Sequence, residues 1–362
     1  MRNLRLDFDT TPFIVIWEVT QACALACRHC RAEAVDERDP LELTRDEGRD
    51  LVGQVAAMGT PIMIFSGGDP LQRDDLEDLV GCAKAAGLRA ATIPAATPRL
   101  TRQRVASLKD AGVDQMALSL DGSTRQIHDA FRGVEGSFDR TMDGARWARE
   151  LDVPLQINTC FSAFNFDDFS AIVERIESLG IVFWEVFFLV PTGRGAELGG
   201  LSAAQYEQMF ARLHEVQQRA GYIVKVTEAP HFRRFVVQQA PGRAGQLLAR
   251  PSGPGGSVGM SPHAVNAGKG FCFVSHQGEV FPSGFLPVSC GNVRERSLAE
   301  IYRNAPLMRS LRDPSRLQGR CGRCDFADLC GGSRSRAHAL TGDPFAEDPC
   351  CAYDPPPATS TG

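Results

Sequence analysis

The sequence has no excess of positive charge and no long apolar run. Its 39 Lys and Arg residues stand against 44 Asp and Glu residues, which gives a formal net charge of −5. Proteins that bind nucleic acid or anionic lipid normally present a basic surface, so we expect neither partner. The N-terminus lacks the apolar core of a signal peptide, and the longest apolar stretch, residues 181–190, contains Glu185 and is too short to cross a bilayer. We therefore predict a cytoplasmic protein that does not contact a membrane.

The 12 cysteines lack the distribution of a disulfide framework. They concentrate towards the two ends of the chain, and a reducing compartment would keep them as thiols. Clustered thiols in such a compartment indicate metal binding. The length of 362 residues suits one large domain with a smaller one attached.

The first cluster is a trio of cysteines without a nearby fourth. Cys23, Cys27 and Cys30 have the spacing C-x3-C-x2-C, and the next cysteine is Cys82. Structural zinc and cubane iron–sulfur clusters normally take four protein ligands, so three thiolates leave one coordination position open to a substrate. A zinc knuckle that includes His29, or cysteines that are merely buried, are the alternative interpretations.

Six apolar segments predict β-strands with helical stretches between them. They lie at residues 14–19, 61–65, 89–93, 115–120, 155–160 and 183–190. This alternation predicts right-handed βα units and a parallel sheet. Parallel barrels place their chemistry at the C-terminal ends of the strands. Polar motifs follow these ends, with Gly-Gly-Asp-Pro at 67–70 after the second and Ser-Leu-Asp-Gly at 119–122 after the fourth.

These motifs together resemble those of the radical S-adenosylmethionine (SAM) superfamily. The resemblance rests on the cysteine trio after the first strand, on G-G-D-P, and on S-L-D-G followed by H-D-x-F-R-G and G-S-F. It implies an α/β fold, a partial (β/α)6 TIM-like barrel. It also implies a [4Fe–4S] cluster on the trio, whose fourth iron chelates SAM, so that reductive cleavage of SAM yields a 5′-deoxyadenosyl radical. A flavodoxin- or ferredoxin-type protein is the implied electron donor.

The resemblance also implies which residues bind SAM. Asp69, where the family more often has Glu, would pair with the ammonium group, and Arg132 would clamp a carboxylate. An alternative for Asp121 and Arg132 is that they cap the following helix. The full set of implied SAM-binding residues is Gly67, Gly68, Asp69, Pro70, Ser119, Asp121, Arg132 and Asn158.

A second cysteine set lies near the C-terminus. Cys321, Cys324 and Cys330 have the spacing C-x2-C-x5-C, and the pair Cys350 and Cys351 follows. Four thiolates form a closed set, which fits structural zinc or a [4Fe–4S] cluster. A hairpin with G-E-V-F-P, then G-N-V, C-x2-C-x5-C-G-G and D-P-x-C, resembles the SPASM or twitch domain of radical SAM enzymes, which implies an auxiliary cluster.

The departures from the full SPASM pattern imply one auxiliary [4Fe–4S] cluster. Ser283 and Arg334 stand where that pattern has cysteines. The implied ligands are Cys321, Cys324, Cys330 and Cys351, with Cys350 as the alternative to Cys351. Cys272 and Cys290 would either contribute to a rudimentary second site or be ordinary buried thiols.

The predicted domains are a barrel at 1–237, a Gly- and Pro-rich loop at 238–270, a SPASM/twitch domain at 271–353 and a disordered tail at 354–362. An amphipathic helix is expected at 202–219. No separate module for peptide recognition precedes the first strand, which favours a small substrate.

The C-terminal tail most closely resembles the radical decarboxylases of heme d1 and alternative heme biosynthesis. The resemblance implies oxidation or decarboxylation of a tetrapyrrole side chain, with the auxiliary cluster accepting the electron left on the substrate. One alternative is a SPASM-type maturase that modifies a ribosomally synthesised peptide. Another is a non-catalytic iron–sulfur or zinc protein.

Overall fold

The structure, a computed structural model, describes residues 6–239 and 265–356. Its central element is a nine-stranded sheet, curled into a half-barrel, with the order β7-β6-β5-β4-β3-β2-β1-β8-β9. Every neighbouring pair is parallel except β8 and β9. The strands are β1 (Ile14–Glu18), β2 (Ile62–Ser66), β3 (Arg89–Thr92), β4 (Gln115–Ser119), β5 (Leu155–Phe161), β6 (Phe183–Phe188), β7 (Ile223–Thr227), β8 (Phe271–Val274) and β9 (Val280–Phe281).

Helices connect and cover the strands. The helices up to β8 are α1 (Arg45–Ala57), α2 (Leu76–Ala85), α3 (Arg102–Asp110), α4 (Arg125–Arg132), α5 (Ser137–Glu150), α6 (Phe169–Glu177), α7 (Ala203–Arg219) and α8 (His231–Gln239). Those after β9 are α9 (Leu298–Asn304), α10 (Pro306–Arg312), α11 (Gly319–Gly322) and α12 (Arg334–Thr341). In the described ranges, none of them is long and apolar enough to cross a membrane.

The predicted α/β barrel is confirmed. The six predicted strands are present as β1 to β6. The predicted amphipathic helix is α7, which begins with a capping box between Ser202 and Gln205. The structure adds β7, a strand that we did not predict, and it shows that β8 lies parallel to β1 in the same sheet.

The predicted domain division stays a prediction. Strand β8, which we assigned to the second domain, extends the sheet of the first. Most of the predicted connecting loop, at 240–264, and the tail at 357–362 lie outside the described residues.

The two faces of the sheet have different environments. On one face Val15, Trp17 and Val19 of the β1 region belong to the main core beneath the helices. A Cβ atom on Gly48 of α1 would lie 2.6 Å from the Trp17 ring, so this glycine lets α1 approach the sheet closely. On the other face a smaller apolar cluster includes Ile14 and Ile62 near the N-terminal ends of their strands. On this second face, the residues at the C-terminal ends of the strands carry polar side chains.

The C-terminal part of the chain docks on the barrel through α1. Arg294 forms a bidentate ion pair with Glu47, with nitrogen–oxygen distances of 2.6 and 3.0 Å. The backbone amide of Leu298 donates to Gln54 Oε1 at 2.7 Å. These contacts fix the region after β9 against the first βα unit.

Candidate metal and cofactor sites

The three N-terminal cysteines lie together in the loop that follows β1. Cys23 and Cys27 are buried, and Cys30 packs against them in a small cluster with Leu25. The remaining neighbours in this cluster are apolar: Ala34, Ala95 and Val134. The predicted position of the trio, at the C-terminal end of the first strand, agrees with the structure.

Glycines from three other segments hold this cysteine loop in place. A Cβ atom on Gly68, Gly133 or Gly193 would lie within 3.0 Å of a backbone oxygen of the loop, at Ala22, Ala26 and Cys30 respectively. Backbone hydrogen bonds accompany these contacts, with Asp69 N donating to Ala22 O at 2.7 Å and Arg194 N donating to Cys30 O at 3.0 Å. The loop is therefore clamped by backbone from the ends of β2, α4 and β6.

Arg132 joins the cysteine loop to the barrel. Its Nη1 lies 3.6 Å from Cys27 Sγ, and its Nη2 forms an ion pair with the fully buried Asp121. Burial raises the pKa of the Cys27 thiol, and the Arg132 guanidinium opposes that rise. Nε of Arg132 is buried and has no hydrogen-bond partner among the described residues. A donor in this state is suited to an anionic group beside the trio.

Asp121 does not cap the following helix. The N-cap residue of α4 is Thr124, whose side chain accepts from Ile127 N, so the capping alternative is wrong for Asp121. Its carboxylate instead accepts the Cys160 amide at 2.7 Å and pairs with Arg132. Asp121 therefore orients Arg132 from inside the barrel.

The G-G-D-P turn packs against the cysteine loop, and its carboxylate is used locally. Asp69 is fully buried and accepts Thr97 Oγ1 at 2.7 Å, Leu71 N at 3.1 Å and Ala95 N at 3.3 Å. Thr97, which the sequence analysis missed, thus holds Asp69 in place. Three protein donors already bind this carboxylate. Its predicted contact with an ammonium group remains a prediction.

A polar network lies across β5, β6 and β7. Ser119 and Asn158 are direct neighbours in the register of β4 and β5. Gln156 Nε2 donates to Asn158 Oδ1 at 2.6 Å and to Glu185 Oε2 at 2.9 Å. Glu185 in turn accepts Lys225 Nζ at 2.9 Å. Ser119 and Asn158 were predicted as site residues, whereas Gln156, Glu185 and Lys225 were not, although polar residues at alternate strand positions are a detectable pattern.

Charged side chains also link the cysteine loop to the β8–β9 hairpin. Glu18 accepts Arg31 Nη2 at 3.0 Å, and its other oxygen lies 3.0 Å from His276 Nδ1. Burial lowers the pKa of His276, but the hydrogen bond and charge of Glu18 outweigh that effect and raise it overall. No local pattern indicates a contact between Glu18 and His276, which lie 258 positions apart.

The C-terminal cysteines surround one cavity. Its wall includes Cys321, Cys324, Cys330 and Cys351. Cys350 is absent from that wall, and its Sγ lies 3.9 Å from Leu201 O. The geometry therefore supports Cys351 as the fourth member of the set.

The donor chemistry of this cavity fits an iron–sulfur cluster. Backbone amides of Phe326, Gly332 and Asp348 donate to the sulfur atoms of Cys324, Cys330 and Cys321 at 3.3 to 3.4 Å. Across residues 6–239 and 265–356, no group of His, Cys, Asp and Glu side chains is arranged to hold a single metal ion. A cubane does not require such convergence, since each thiolate binds a different iron.

The two positions where SPASM cysteines are missing have polar contacts instead. Arg334 Nη2 lies 3.7 Å from Cys321 Sγ. Ser283 Oγ lies 3.5 Å from Glu228, a buried carboxyl group that also accepts Ser333.

Cys272 and Cys290 are both part of the main apolar core. Burial raises the pKa of Cys290 to about 11 and that of Cys272 further. This environment is that of ordinary buried thiols.

Comparison with known proteins decides the family. The model of the radical SAM superfamily matches residues 17–176, and that of the SPASM iron–sulfur cluster-binding domain matches residues 266–325. An AdoMet-dependent heme synthase from Methanosarcina barkeri is 41% identical over 97% of this chain and 99% of that protein. The chain belongs to the radical SAM superfamily. Its cofactors are a [4Fe–4S] cluster and SAM, and its SPASM domain adds auxiliary iron–sulfur binding.

Other radical SAM proteins share the fold or the sequence to a smaller degree. A PqqA peptide cyclase from Rhodopseudomonas palustris is 31% identical over 95% of this chain and 88% of that protein. The crystal structure of Streptococcus suis SuiB bound to S-adenosylmethionine superposes with a TM-score of 0.72 and 15% identity, over 95% of this chain and 78% of that one. Membership of this enzyme superfamily sets aside the interpretation as a non-catalytic metal protein.

Proposed function

We propose that this radical SAM enzyme oxidises or decarboxylates a side chain of a tetrapyrrole. The observation that carries the substrate assignment is the 41% identity to a heme synthase across nearly the full length of both chains. A match of this extent includes both cysteine sets and the barrel between them. It therefore favours a shared reaction as well as a shared fold.

In this proposal Cys23, Cys27 and Cys30 hold the catalytic cluster. A bound [4Fe–4S] cluster and SAM supply reductive cleavage of SAM and hydrogen abstraction from the substrate. The chain itself holds the loop rigid through its glycine contacts and excludes water from the buried thiolates. It also places the Arg132 guanidinium beside Cys27, where a fixed cation favours the thiolate form.

The SAM-binding residues are assigned from their positions around the trio. The turn formed by Gly67, Gly68, Asp69 and Pro70 lies against the cysteine loop, so we assign its backbone to the amino group of SAM, with Asp69 holding the turn. The unpaired Nε of Arg132 suits the SAM carboxylate. Ser119 at the end of β4 and its neighbour Asn158 in the middle of β5 are assigned to the ribose. Asp121 acts through Arg132.

The second cysteine set completes the electron balance. Removal of one hydrogen atom and then carbon dioxide from a propionate group leaves a vinyl group and one surplus electron. That electron needs an acceptor, and we assign this role to a cluster held by Cys321, Cys324, Cys330 and Cys351. The net change on the substrate is then an oxidation. A flavodoxin- or ferredoxin-type donor would reduce the first site.

Anaerobically reconstituted protein mixed with SAM, a reductant and Fe-coproporphyrin tests the substrate assignment. We expect a change in tetrapyrrole absorbance, formation of 5′-deoxyadenosine, and loss of carboxyl groups by mass spectrometry. The Cys27→Ala variant should bind the tetrapyrrole without product. Unchanged absorbance and no binding by the reconstituted wild type would contradict the assignment.

Modification of a peptide is the second candidate function. It is favoured by the 31% identity to PqqA peptide cyclase over most of both chains. Cross-linking or oxidation of a supplied precursor peptide, with no binding of tetrapyrrole, would establish it in place of the first.

A further inference from the structure

His231 lies on the wall of the C-terminal cysteine cavity, although it belongs to the barrel part of the chain. It is the first residue of α8, the helix that follows β7. It lines the cavity together with Cys321, Cys324, Cys330 and Cys351. Neither the cysteine spacing nor the barrel motifs indicated this residue.

The imidazole of His231 is buried without a hydrogen bond. Its exposed fraction is 1%, and among the described residues neither Nδ1 nor Nε2 has a hydrogen-bond partner. A buried polar group without a partner is rare, because its desolvation is unfavourable. The nearest acidic group is Asp348, whose Oδ2 lies 3.8 Å from Nδ1, beyond hydrogen-bond distance.

The surroundings of His231 fix the orientation of the ring. Its centroid lies 4.8 Å from that of Phe210, edge to face, and 5.2 Å from that of Tyr206. Asp348 is itself held by the Ser333 amide at 2.8 Å and by Arg336 Nε at 3.3 Å. The aromatic rings therefore set the plane of the imidazole, and Asp348 lies beside it without a hydrogen bond.

Arg234, one turn along α8, lies on the same wall, and among the described residues its buried Nε also has no hydrogen-bond partner. Its Nη2 donates to Glu207, and its Nη1 donates to Gln238 Oε1 at 2.9 Å. Neither ring nitrogen of His231 makes a hydrogen bond of this length in the described chain; its nearest polar neighbours are the Asp348 carboxylate and the Cys350 backbone.

We propose that the ring N–H of His231 donates a hydrogen bond to the sulfur shell of the auxiliary cluster and thereby raises its reduction potential. This inference rests on the proposed assignment of the four cysteines to that cluster and does not depend on the substrate. Hydrogen bonds to the sulfur atoms make iron–sulfur clusters easier to reduce, because they stabilise the added negative charge. A raised potential suits the acceptor of a substrate electron.

Redox titration of the anaerobically reconstituted protein, followed by electron paramagnetic resonance, tests the proposal. The variants are His231→Phe and His231→Leu, which lack the N–H donor, and His231→Asn, which retains one. His214→Phe is the matched control, because His214 also packs against an aromatic side chain of α8 but does not line the cavity. The signal that is missing from Cys27→Ala protein belongs to the radical site, and its potential should be the same in all variants.

We expect a more negative auxiliary potential in His231→Phe and His231→Leu, partial or full recovery in His231→Asn, and no shift in His214→Phe. If one of the two apolar variants does not fold, the potential of the other is compared with that of His231→Asn. An unshifted auxiliary potential in either folded apolar variant with full iron content, or an equal shift in His231→Asn, would overturn the proposal. Wild-type protein that binds only about four irons would instead refute the cluster assignment on which the proposal rests.

Discussion

The two cysteine centres of this molecule differ in the number of thiols that each one provides for a cluster. The N-terminal trio has three thiols in a loop clamped by backbone contacts, and its neighbouring polar donor, Arg132 Nε, has no partner. The C-terminal set has four thiols around one cavity, three of which receive a backbone amide at 3.3 to 3.4 Å. The first centre is thus open to a small cofactor that carries a carboxylate, whereas the second is closed.

The two centres also lie in different parts of the fold. The trio lies at the ends of the barrel strands, where a substrate can approach. The quartet lies in a region of short helices and turns, beside the helix α8 that follows β7. Chemistry at the first site and electron storage at the second are consistent with this arrangement.

The largest expected effect comes from removing one cysteine from each centre. Cys30→Ala should abolish 5′-deoxyadenosine formation, because three ligands are needed to hold a cluster with one open iron. Cys330→Ala should retain SAM cleavage but lose product formation on the substrate. Cys82→Ala, a half-buried thiol outside both sites, is the control. Equal loss of SAM cleavage in both variants, with the fold intact, would remove the distinction between the centres.

Two neighbouring substitutions test which cysteine is the fourth ligand of the closed centre. Cys351→Ala should lower the iron content of the reconstituted protein from about eight to about four per chain, because Cys351 lines the cavity. Cys350→Ala should leave it unchanged. The reverse result in iron and sulfide assays would assign Cys350 as the ligand.

The open centre depends on a buried ion pair. Arg132→Met should destabilise the apoprotein by about 3–5 kcal/mol, because it leaves the carboxylate of Asp121 buried and unpaired. The double variant with Asp121→Asn should recover part of that loss. Denaturant unfolding measures both, and a double variant no more stable than Arg132→Met would contradict the pairing.

Backbone clamping of the open centre is tested by two glycines with similar dihedral angles. Gly133 and Gly87 have φ values of 70° and 82°, but only at Gly133 would a Cβ atom meet another backbone segment, at Ala26. Gly133→Ala should cost roughly 2–5 kcal/mol and Gly87→Ala about 1–2 kcal/mol. Equal costs in denaturant unfolding would show that the loop yields to the added methyl group.

The smallest expected effect concerns pH. The pKa of His276 is raised in the folded state, so its contact with Glu18 stabilises fully below the unfolded value of about 6.5 and is lost as pH rises through the folded-state value. The melting temperature of wild type should exceed that of His276→Gln most at about pH 6 and least at about pH 9. A difference that grows with pH would contradict this sign.

Local patterns predicted much of this structure. Strands β1 to β6 follow from apolar segments with turns between them, and the cysteine trio and the G-G-D-P turn follow β1 and β2 as their motifs predict. Strand β7 was missed because Lys225 and Thr227 make its sequence look exposed, whereas Lys225 in fact pairs with Glu185. The polar pattern was present, but its partner lies 40 positions away.

Contacts between distant segments could not be predicted from one sequence. The parallel pairing of β8 with β1 and the approach of His231 to the C-terminal cysteines depend on tertiary packing. The same holds for Asp69, whose motif implies a contact with an ammonium group, whereas Thr97 donates to its carboxylate. Motif spacing identifies residue types at a site but does not show which neighbours already use their polar atoms.

The most direct test of the two-centre account is the electron paramagnetic resonance spectrum of the reduced, fully reconstituted protein before and after SAM is added. The account predicts two cluster signals, of which only one changes with SAM. That signal should be absent from Cys27→Ala, while the other should be absent from Cys324→Ala and unaffected by SAM. A SAM-dependent change in both signals, or in neither, would contradict the assignment of one open and one closed centre.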